Sequence, residues 1–293
     1  MKKIGFIGTG VMGSAIVKHL LAAGYQVNVY NRTKAKTAEL VELGALWQDS
    51  PQAITAASEI IFTMVGYPQD VEETYYGEKG IFGTEVANKT LIDMTTSTPS
   101  LAEKIAKTAN EKGAFSLDAP VSGGDLGAKN GTLTTMVGGE EAVFATVEDL
   151  LQVFSSKVKR QGLAGAGQHT KMANQIMIAG TMTGMTELLV YADKAGLDLE
   201  SVIETVGGGS AANWSLANYA PRILREDFTP GFFVKHFLKD LNIALNESEK
   251  LGLKLPATER ARELYEKLVT EGFENDGTQG LIKLWWPEGR KSN

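Results

Sequence analysis

Two stretches hold residues whose types and spacing can do chemistry. Gly8-Thr9-Gly10-Val11-Met12-Gly13 is a GxGxxG. Its first glycine permits a tight turn, its second lets backbone approach a pyrophosphate, and its third lets a helix and a strand pack closely. The second stretch begins at Lys171, which heads a segment that otherwise avoids charge: from Met172 to Ala192 the only charged residue is Glu187. On a helix, Asn174 lies at i+3, Gln175 at i+4 and Ile178 at i+7, all on the lysine's face. An unpaired buried charge is costly, so a lysine there needs a reason. Spacing leaves two readings open: Lys171 snorkels to water from a helix end, or it is a catalytic acid with an amide partner beside it.

Two shorter features add to these. An acidic residue about 20 positions after the glycine motif would bind the ribose 2′-hydroxyl of NAD. Here the chain reads Tyr30-Asn31-Arg32-Thr33, with Lys34 and Lys36 nearby and no carboxylate. Arg32 can stack on adenine and pair with a 2′-phosphate, and Asn31 and Thr33 can donate to it, which favours NADP over NAD. The alternative is that Arg32 and the lysines solvate a helix start. Residues 118–133 read DAPVSGGDLGAKNGTL. Ser122, Gly123 and Gly124 offer a hydroxyl and successive backbone N–H groups able to cradle a carboxylate, although taken alone the segment also reads as an ordinary loop.

Such groups need elements to hold them. The first half alternates: strands at Ile4–Ile7, Gln26–Tyr30, Glu59–Val65, Thr90–Met94, Phe115–Asp118, Thr132–Val137 and Lys157–Arg160, with helical patterns ending near Ala23 and at Lys34–Leu43, Pro99–Lys112 and Glu140–Phe154. Strands alternating with helices predict a parallel sheet covered on both faces. After Gly167 no convincing strand remains. Helices are predicted over 168–195, 199–206, 211–225, 235–251, 256–271 and 278–285, the first of them buried on all sides. The fold class is therefore an α/β Rossmann N-terminal domain (1–164) and an all-α C-terminal domain (165–293), with Gly162–Gly167 as the boundary.

Composition removes other classes. The chain has 293 residues, a net charge of −6 and no cysteine. Nucleic acid and anionic membrane surfaces are excluded as partners by charge; the one local basic cluster, Lys157, Lys159 and Arg160, reads as a solvated edge. Disulfides and thiolate metal sites are absent, and His19, His169 and His236 lack zinc spacing. A reducing cytoplasm suits such a chain. Met1-Lys2-Lys3 and the apolar residues after it resemble a signal peptide, but Gly5, Gly8, Gly10 and Gly13 interrupt the run. Residues 172–192 have the length of a membrane span and a GxxxG at Gly180 and Gly184, yet they carry Asn174, Gln175, threonines and Glu187. Trp214, Tyr219, Phe232, Phe233, Trp285 and Trp286 read as pocket lining or as core. The closing Trp-Trp-Pro-Glu-Gly-Arg reads as a docking tail.

GFIGTGVMG at 5–13, DAPVSGG at 118–124, GAGQHTKMANQ at 165–175 and FLKDLNIAL at 237–245 resemble, in order and spacing, the four signatures of the β-hydroxyacid dehydrogenase family. The family includes 3-hydroxyisobutyrate dehydrogenases, tartronate semialdehyde reductases and glyoxylate/succinic semialdehyde reductases. The resemblance implies a Rossmann domain joined to a helical domain by the long helix near Lys171, and a homodimer or homotetramer. It implies that Lys171 is the catalytic lysine and Asn174 its amide. It assigns Ser122, Gly123 and Gly124 to the substrate carboxylate, Val65 and Thr96 to the cofactor, and Lys239 to cofactor and active site. Thr9 stands where many members have an aliphatic residue, and Gln175 where some have a second asparagine, a position that can tune the substrate. The implied activity is the NAD(P)-dependent interconversion of a small hydroxy acid and its semialdehyde or oxo acid, with a lysine general acid/base. Rival readings are an imine-type reductase, in which the lysine is typically replaced, and a non-catalytic NADP-binding protein on the same fold. A Tyr75–Lys79 YxxxK spelling, as in short-chain dehydrogenases, is broken by Gly77. A 6-phosphogluconate dehydrogenase would need a basic cluster that the second half lacks.

Overall fold

The computed structural model describes residues 2–289; Met1 of the leader-like start and Arg290 of the closing segment lie outside the described residues. The chain divides into two units, the first ending at Lys171 and the second starting at Met172.

The first unit alternates strand and helix. β1 (Ile4–Ile7), α1 (Val11–Ala22), β2 (Val27–Tyr30), α2 (Ala38–Glu42) and β3 (Leu46–Trp47) are followed by α3 (Pro51–Ala57), β4 (Ile60–Thr63), α4 (Pro68–Tyr76), β5 (Thr90–Asp93) and α5 (Pro99–Glu111). β6 (Phe115–Asp118), β7 (Val121–Ser122), α6 (Gly124–Asn130), β8 (Leu133–Gly138), α7 (Glu141–Ala145), α8 (Glu148–Gln152) and β9 (Ser155–Gly162) complete it. The strand order is β3-β2-β1-β4-β5-β6-β8-β7, with β9 paired to β8. Pairs from β3 through β6 are parallel, whereas β6 and β7 each meet β8 antiparallel. Alternate strand residues feed opposite faces. Ile4, Phe6, Ile60 and Phe62 pack with Ile16, Val17 and Leu20 of α1. Ile7, Ile61 and Leu91 pack with Ile54, Val71 and Ile105 of α3, α4 and α5. Burial on both faces of the parallel part explains why β1, β4 and β5 read as short apolar runs.

Some elements depart from the sequence reading. α3 and α4 were not expected. Each opens with proline in its first turn, after Ser50, whose Oγ accepts from Ala53 N–H at 3.1 Å, and after Tyr67, whose N–H donates to Asp70 Oδ2 at 3.1 Å; both follow the rule that favours proline at the first helical position. The single helix expected over 140–154 is two short ones. The break falls at Thr146-Val147, where Thr146 Oγ1 donates to the Val143 carbonyl at 2.7 Å, a local bond that competes with helix continuation.

The long helix α9 (Ala166–Lys194) begins in the first unit and continues into the second, which adds α10 (Leu199–Gly207), α11 (Trp214–Leu224), α12 (Val234–Lys250) and α13 (Pro256–Thr270). Among the described residues this unit has helices and isolated bridges but no strand. Its core joins Phe237 and Leu241 of α12 to Ala261, Leu264 and Tyr265 of α13. Phe232 packs on that cluster, and Tyr219 and Trp286 belong to its neighbour. Trp214 is exposed.

The expectation that α9 is buried on all sides is corrected. Gln168, Lys171, Met172, Gln175, Ala179, Met182, Met185, Leu189 and Ala192 are buried, at helical spacing. Ala173, Met177, Gly180, Gly184, Glu187 and Tyr191 are exposed. The helix is one-sided, but from Ala173 to Tyr191 its outer face is mostly small or apolar, with Glu187 its one charge, so composition conceals the asymmetry. No helix among the described residues is long and apolar enough to cross a membrane.

Candidate active site

In the first unit the glycine loop joins β1 to α1, at the carboxyl edge of the sheet where β2 and β4 flank β1. In parallel α/β sheets ligands bind outside such strand ends. Gly8 has φ +100°, and a Cβ there would collide with the Met64 carbonyl; a Cβ on Gly13 would collide with the carbonyl of Gly8. The fold itself therefore demands these two glycines. Gly10 differs: a Cβ there would meet nothing within 4 Å. Its smallness leaves a cradle that a side chain would fill. Gly10 also caps α1 without a side-chain hydrogen bond, so the helix end stays open to a phosphate. Val11 is exposed beside it, and Met12 packs on the core edge. These residues fit a dinucleotide.

The strand-end polar group is partly structural. Asn31 Oδ1 accepts from Thr9 N–H at 3.1 Å, and Asn31 Nδ2 donates to the Thr33 carbonyl at 3.0 Å. Asn31 thus braces the glycine loop. Arg32 is 86% exposed and lies 3.3 Å from Asp70, a carboxylate from the start of α4. Lys34 sits over the Trp47 ring at 3.8 Å. Thr33 is exposed.

The next strand ends are stitched together. Val65 N–H donates to Thr95 Oγ1 at 3.0 Å, and Thr95 N–H donates to Asp93 Oδ1 at 3.1 Å. Thr96 stands half-buried between buried Thr95 and Ser97. Ser122 closes β7, paired with Thr134. Gly123 and Gly124 follow at φ +129° and +63°, conformations that favour glycine. The helix they open, α6, is held at its far end, where His19 Nε2 of α1 lies 3.0 Å from the Ala128 carbonyl and 3.1 Å from that of Lys129. Glycine loop and Ser-Gly-Gly turn therefore share an anchor.

Lys171 is 7% exposed, so most of its side chain is withdrawn from bulk water. Two residues that the sequence reading did not single out fix the helix bearing it. Asp118 Oδ1 accepts from Gly165 N–H and Oδ2 from Gln168 N–H, each at 2.8 Å. Burial raises the Asp118 carboxyl above the usual carboxylate range, opposed by these N–H groups. Gln168 is fully buried and bonds the Thr95–Ser97 segment. The sequence signal was available in principle: an aspartate closing a buried strand, and a glutamine in the first turn, on the face that also carries Lys171 and Gln175.

In the second unit the α9 amides meet α12. Asn174 Nδ2 donates to Gln175 Oε1 at 2.7 Å, and Gln175 Nε2 donates to Asp240 Oδ2 at 2.6 Å. Lys239 Nζ lies 3.1 Å from Asp240 Oδ1. Asp240 is fully buried and was likewise not singled out; its neighbour Lys239 was. Burial, then Lys239 and Lys235, lower the pKa of His236, and Asp240 opposes them. No cluster of three or more potential metal ligands exists among the described residues. Tyr75 is fully buried and α4 ends at Tyr76, capped by Gly77, so no helix carries a YxxxK pair.

Comparison with known proteins matches residues 3–162 to the NAD binding domain of 6-phosphogluconate dehydrogenase, and residues 165–285 to the NAD-binding domain of NADP-dependent 3-hydroxyisobutyrate dehydrogenase. The chain is 51% identical to an uncharacterised oxidoreductase, YkwC, of Bacillus subtilis, over 97% of this chain and 99% of that one. It is 40% identical to the 2-hydroxy-3-oxopropionate reductase of Escherichia coli, over 92% of each. Among solved structures, 3-hydroxyisobutyrate dehydrogenase of Mycobacterium tuberculosis with L-serine superposes with a TM-score of 0.89 at 27% identity, covering 97% of this chain and 99% of that one.

Proposed function

The chain belongs to the β-hydroxyacid dehydrogenase family, and on that premise we propose that it reduces a small semialdehyde or oxo acid to the hydroxy acid, and catalyses the reverse, with NADP preferred over NAD and Lys171 as general acid/base. The observation that carries this reading is the buried Lys171, one helical turn before Asn174 on α9. NADPH, when bound, supplies the hydride. The loop Gly8–Gly13 and the open end of α1 would hold its pyrophosphate, Arg32 and Thr33 its 2′-phosphate, and Val65 and Thr96 would line its path. Arg32 supports the phosphate because it is exposed at the end of β2 with no carboxylate on that strand end. The nearby Asp70 holds the guanidinium loosely, at 3.3 Å.

Negative charge grows on the carbonyl oxygen during reduction. A protonated Lys171 Nζ stabilises that charge and gives up its proton. In the oxidative direction the neutral amine accepts it. Asn174, held by Gln175, is the polar neighbour that orients the reacting oxygen. Ser122 and the N–H groups of Gly123 and Gly124 are the seat for the substrate carboxylate. The relatives' names support a small acid with a hydroxyl or carbonyl a few carbons away as substrate.

We further propose a homodimer or homotetramer formed through the outer face of α9. A groove of about 680 Å³ lies along it, lined by Ala173, Met177, Gly180 and Gly184. Within the chain, a Cβ on either glycine would meet nothing within 4 Å, so the GxxxG is not used in packing this chain's own helices.

The test is oxidation of NADPH and NADH by the purified protein with glyoxylate and with the succinic, methylmalonate and tartronate semialdehydes. Turnover of at least one, with a higher kcat/KM for NADPH, is expected. Binding of NADPH without turnover of any would contradict the reading. A preference for NADH would overturn the role of Arg32.

A further inference from the structure

The glutamine in the first turn of α9 lies at the centre of a hydrogen-bond chain that the proposed chemistry does not yet use. Gln168 is fully buried. Its Oε1 accepts from Ser97 N–H at 2.9 Å, and its Nε2 donates to the Thr95 carbonyl at 2.8 Å. These two backbone groups flank Thr96. A side-chain amide carries a carbonyl acceptor beside an NH₂ donor, so it matches this buried pair of backbone groups as another peptide would. On the other side, Gln168 N–H donates to Asp118 Oδ2 at 2.8 Å. Thr95 in turn accepts from Val65 N–H through its Oγ1. One residue therefore joins the ends of β4, β5 and β6 to the start of α9. All of these groups lie in the first unit.

Lys171 lies three residues further along the same helix and is buried on the same face. A helix turn is stiff, so fixing Gln168 against the Thr95–Ser97 segment fixes the Cα of Lys171 relative to Thr96. Orientation of reacting groups is worth much of a catalysed rate, and a misplacement of about 1 Å can cost about 10²-fold.

We propose that Gln168 is a positioning residue: its amide, clamped between the Thr95 carbonyl and the Ser97 N–H, sets Lys171 against the strand-end loop that lines the cofactor. This rests on the reading of Lys171 as the general acid/base. A merely structural glutamine would stabilise the fold and act on turnover independently of Lys171. A positioning glutamine acts through Lys171, so its effect disappears when the lysine is gone.

The experiment is a double-mutant cycle on the full chain, with NADPH and the semialdehyde that wild type turns over best. Gln168→Met keeps the side chain's volume and removes both bonds; Gln168→Asn keeps the amide on a shorter stem. Each is made with and without Lys171→Ala, and NADPH affinity and thermal midpoint are measured for all. The expected result for Gln168→Met is a fall in kcat of up to about 10²-fold, with NADPH affinity unchanged and a larger primary deuterium isotope effect from deuterated NADPH. Gln168→Asn should recover part of kcat. In the Lys171→Ala background, Gln168→Met should remove little of the residual rate. An equal loss in both backgrounds, with Lys171→Ala itself strongly impaired, overturns the positioning role and leaves the lysine reading standing. Full turnover by Lys171→Ala overturns both. If Gln168→Met fails to fold, the comparison rests on Gln168→Asn, and an additive loss there overturns the proposal equally.

Discussion

At the residue scale, the glycines of one short motif serve different masters. Gly8 and Gly13 are fixed by collisions with backbone carbonyls, and Gly8 also by its positive φ. Gly10 has an ordinary φ of −71° and open space where a side chain would go. Gly8→Ala should therefore destabilise the protein by at least about 1–3 kcal/mol, read as a fall in thermal midpoint. Gly10→Ala should leave the midpoint nearly unchanged yet weaken NADPH about tenfold or more, a loss of about 1.4 kcal/mol. Equal effects of the two substitutions on stability would contradict this division. The motif itself was legible in the sequence, because glycine is the residue that such sites require. So was the division of roles among its glycines; what was not legible is the backbone that Gly8 must clear, at Met64, some fifty residues away. The same holds for Asn31. Its polarity suggested a donor to a phosphate, and the structure shows it bonded to Thr9 and Thr33.

At the element scale, seven of the nine strands among the described residues were legible, whereas the two-residue β3 and β7 and several helices were not. β1, β4 and β5 are short apolar runs because both sheet faces are covered. α3 and α4 lack a clear apolar period and were marked instead by their caps and prolines. α9 was found with nearly its true length, but its outer face misled. Met177 is 67% exposed and Tyr191 76%, where a surface helix usually carries charge. A GxxxG on that face fits close packing of helices within or between subunits; the open space at Gly180 and Gly184 favours the second. Gly184→Lys should keep the helix, since lysine is the better helix former by roughly 0.7–1 kcal/mol. It should also shift the protein to a monomer in light scattering coupled to size exclusion. An unchanged mass would contradict an interface there.

At the scale of the whole molecule, the four motifs are spread over more than two hundred residues, and their elements deliver them in two groups. The first unit gathers the glycine loop, the Val65 and Thr95–Ser97 strand ends, the Ser-Gly-Gly turn and Lys171. The second unit holds the chain of amides and charges from Asn174 through Gln175 to Asp240 and Lys239. Helical spacing alone put Lys171 and Asn174 on one face and left two readings of the lysine open. Gln168, Asp118 and Asp240 were not legible, because their partners are distant in sequence and each looks like an ordinary polar residue until the strands are paired. Everything in the proposed chemistry converges on one proton at Lys171 Nζ. The most direct measurement is kcat for semialdehyde reduction by Lys171→Ala against wild type, with NADPH affinity measured on both. The role of Lys171 as general acid predicts a loss of roughly 10²–10⁴-fold in kcat with NADPH still bound. Wild-type turnover in Lys171→Ala would contradict it.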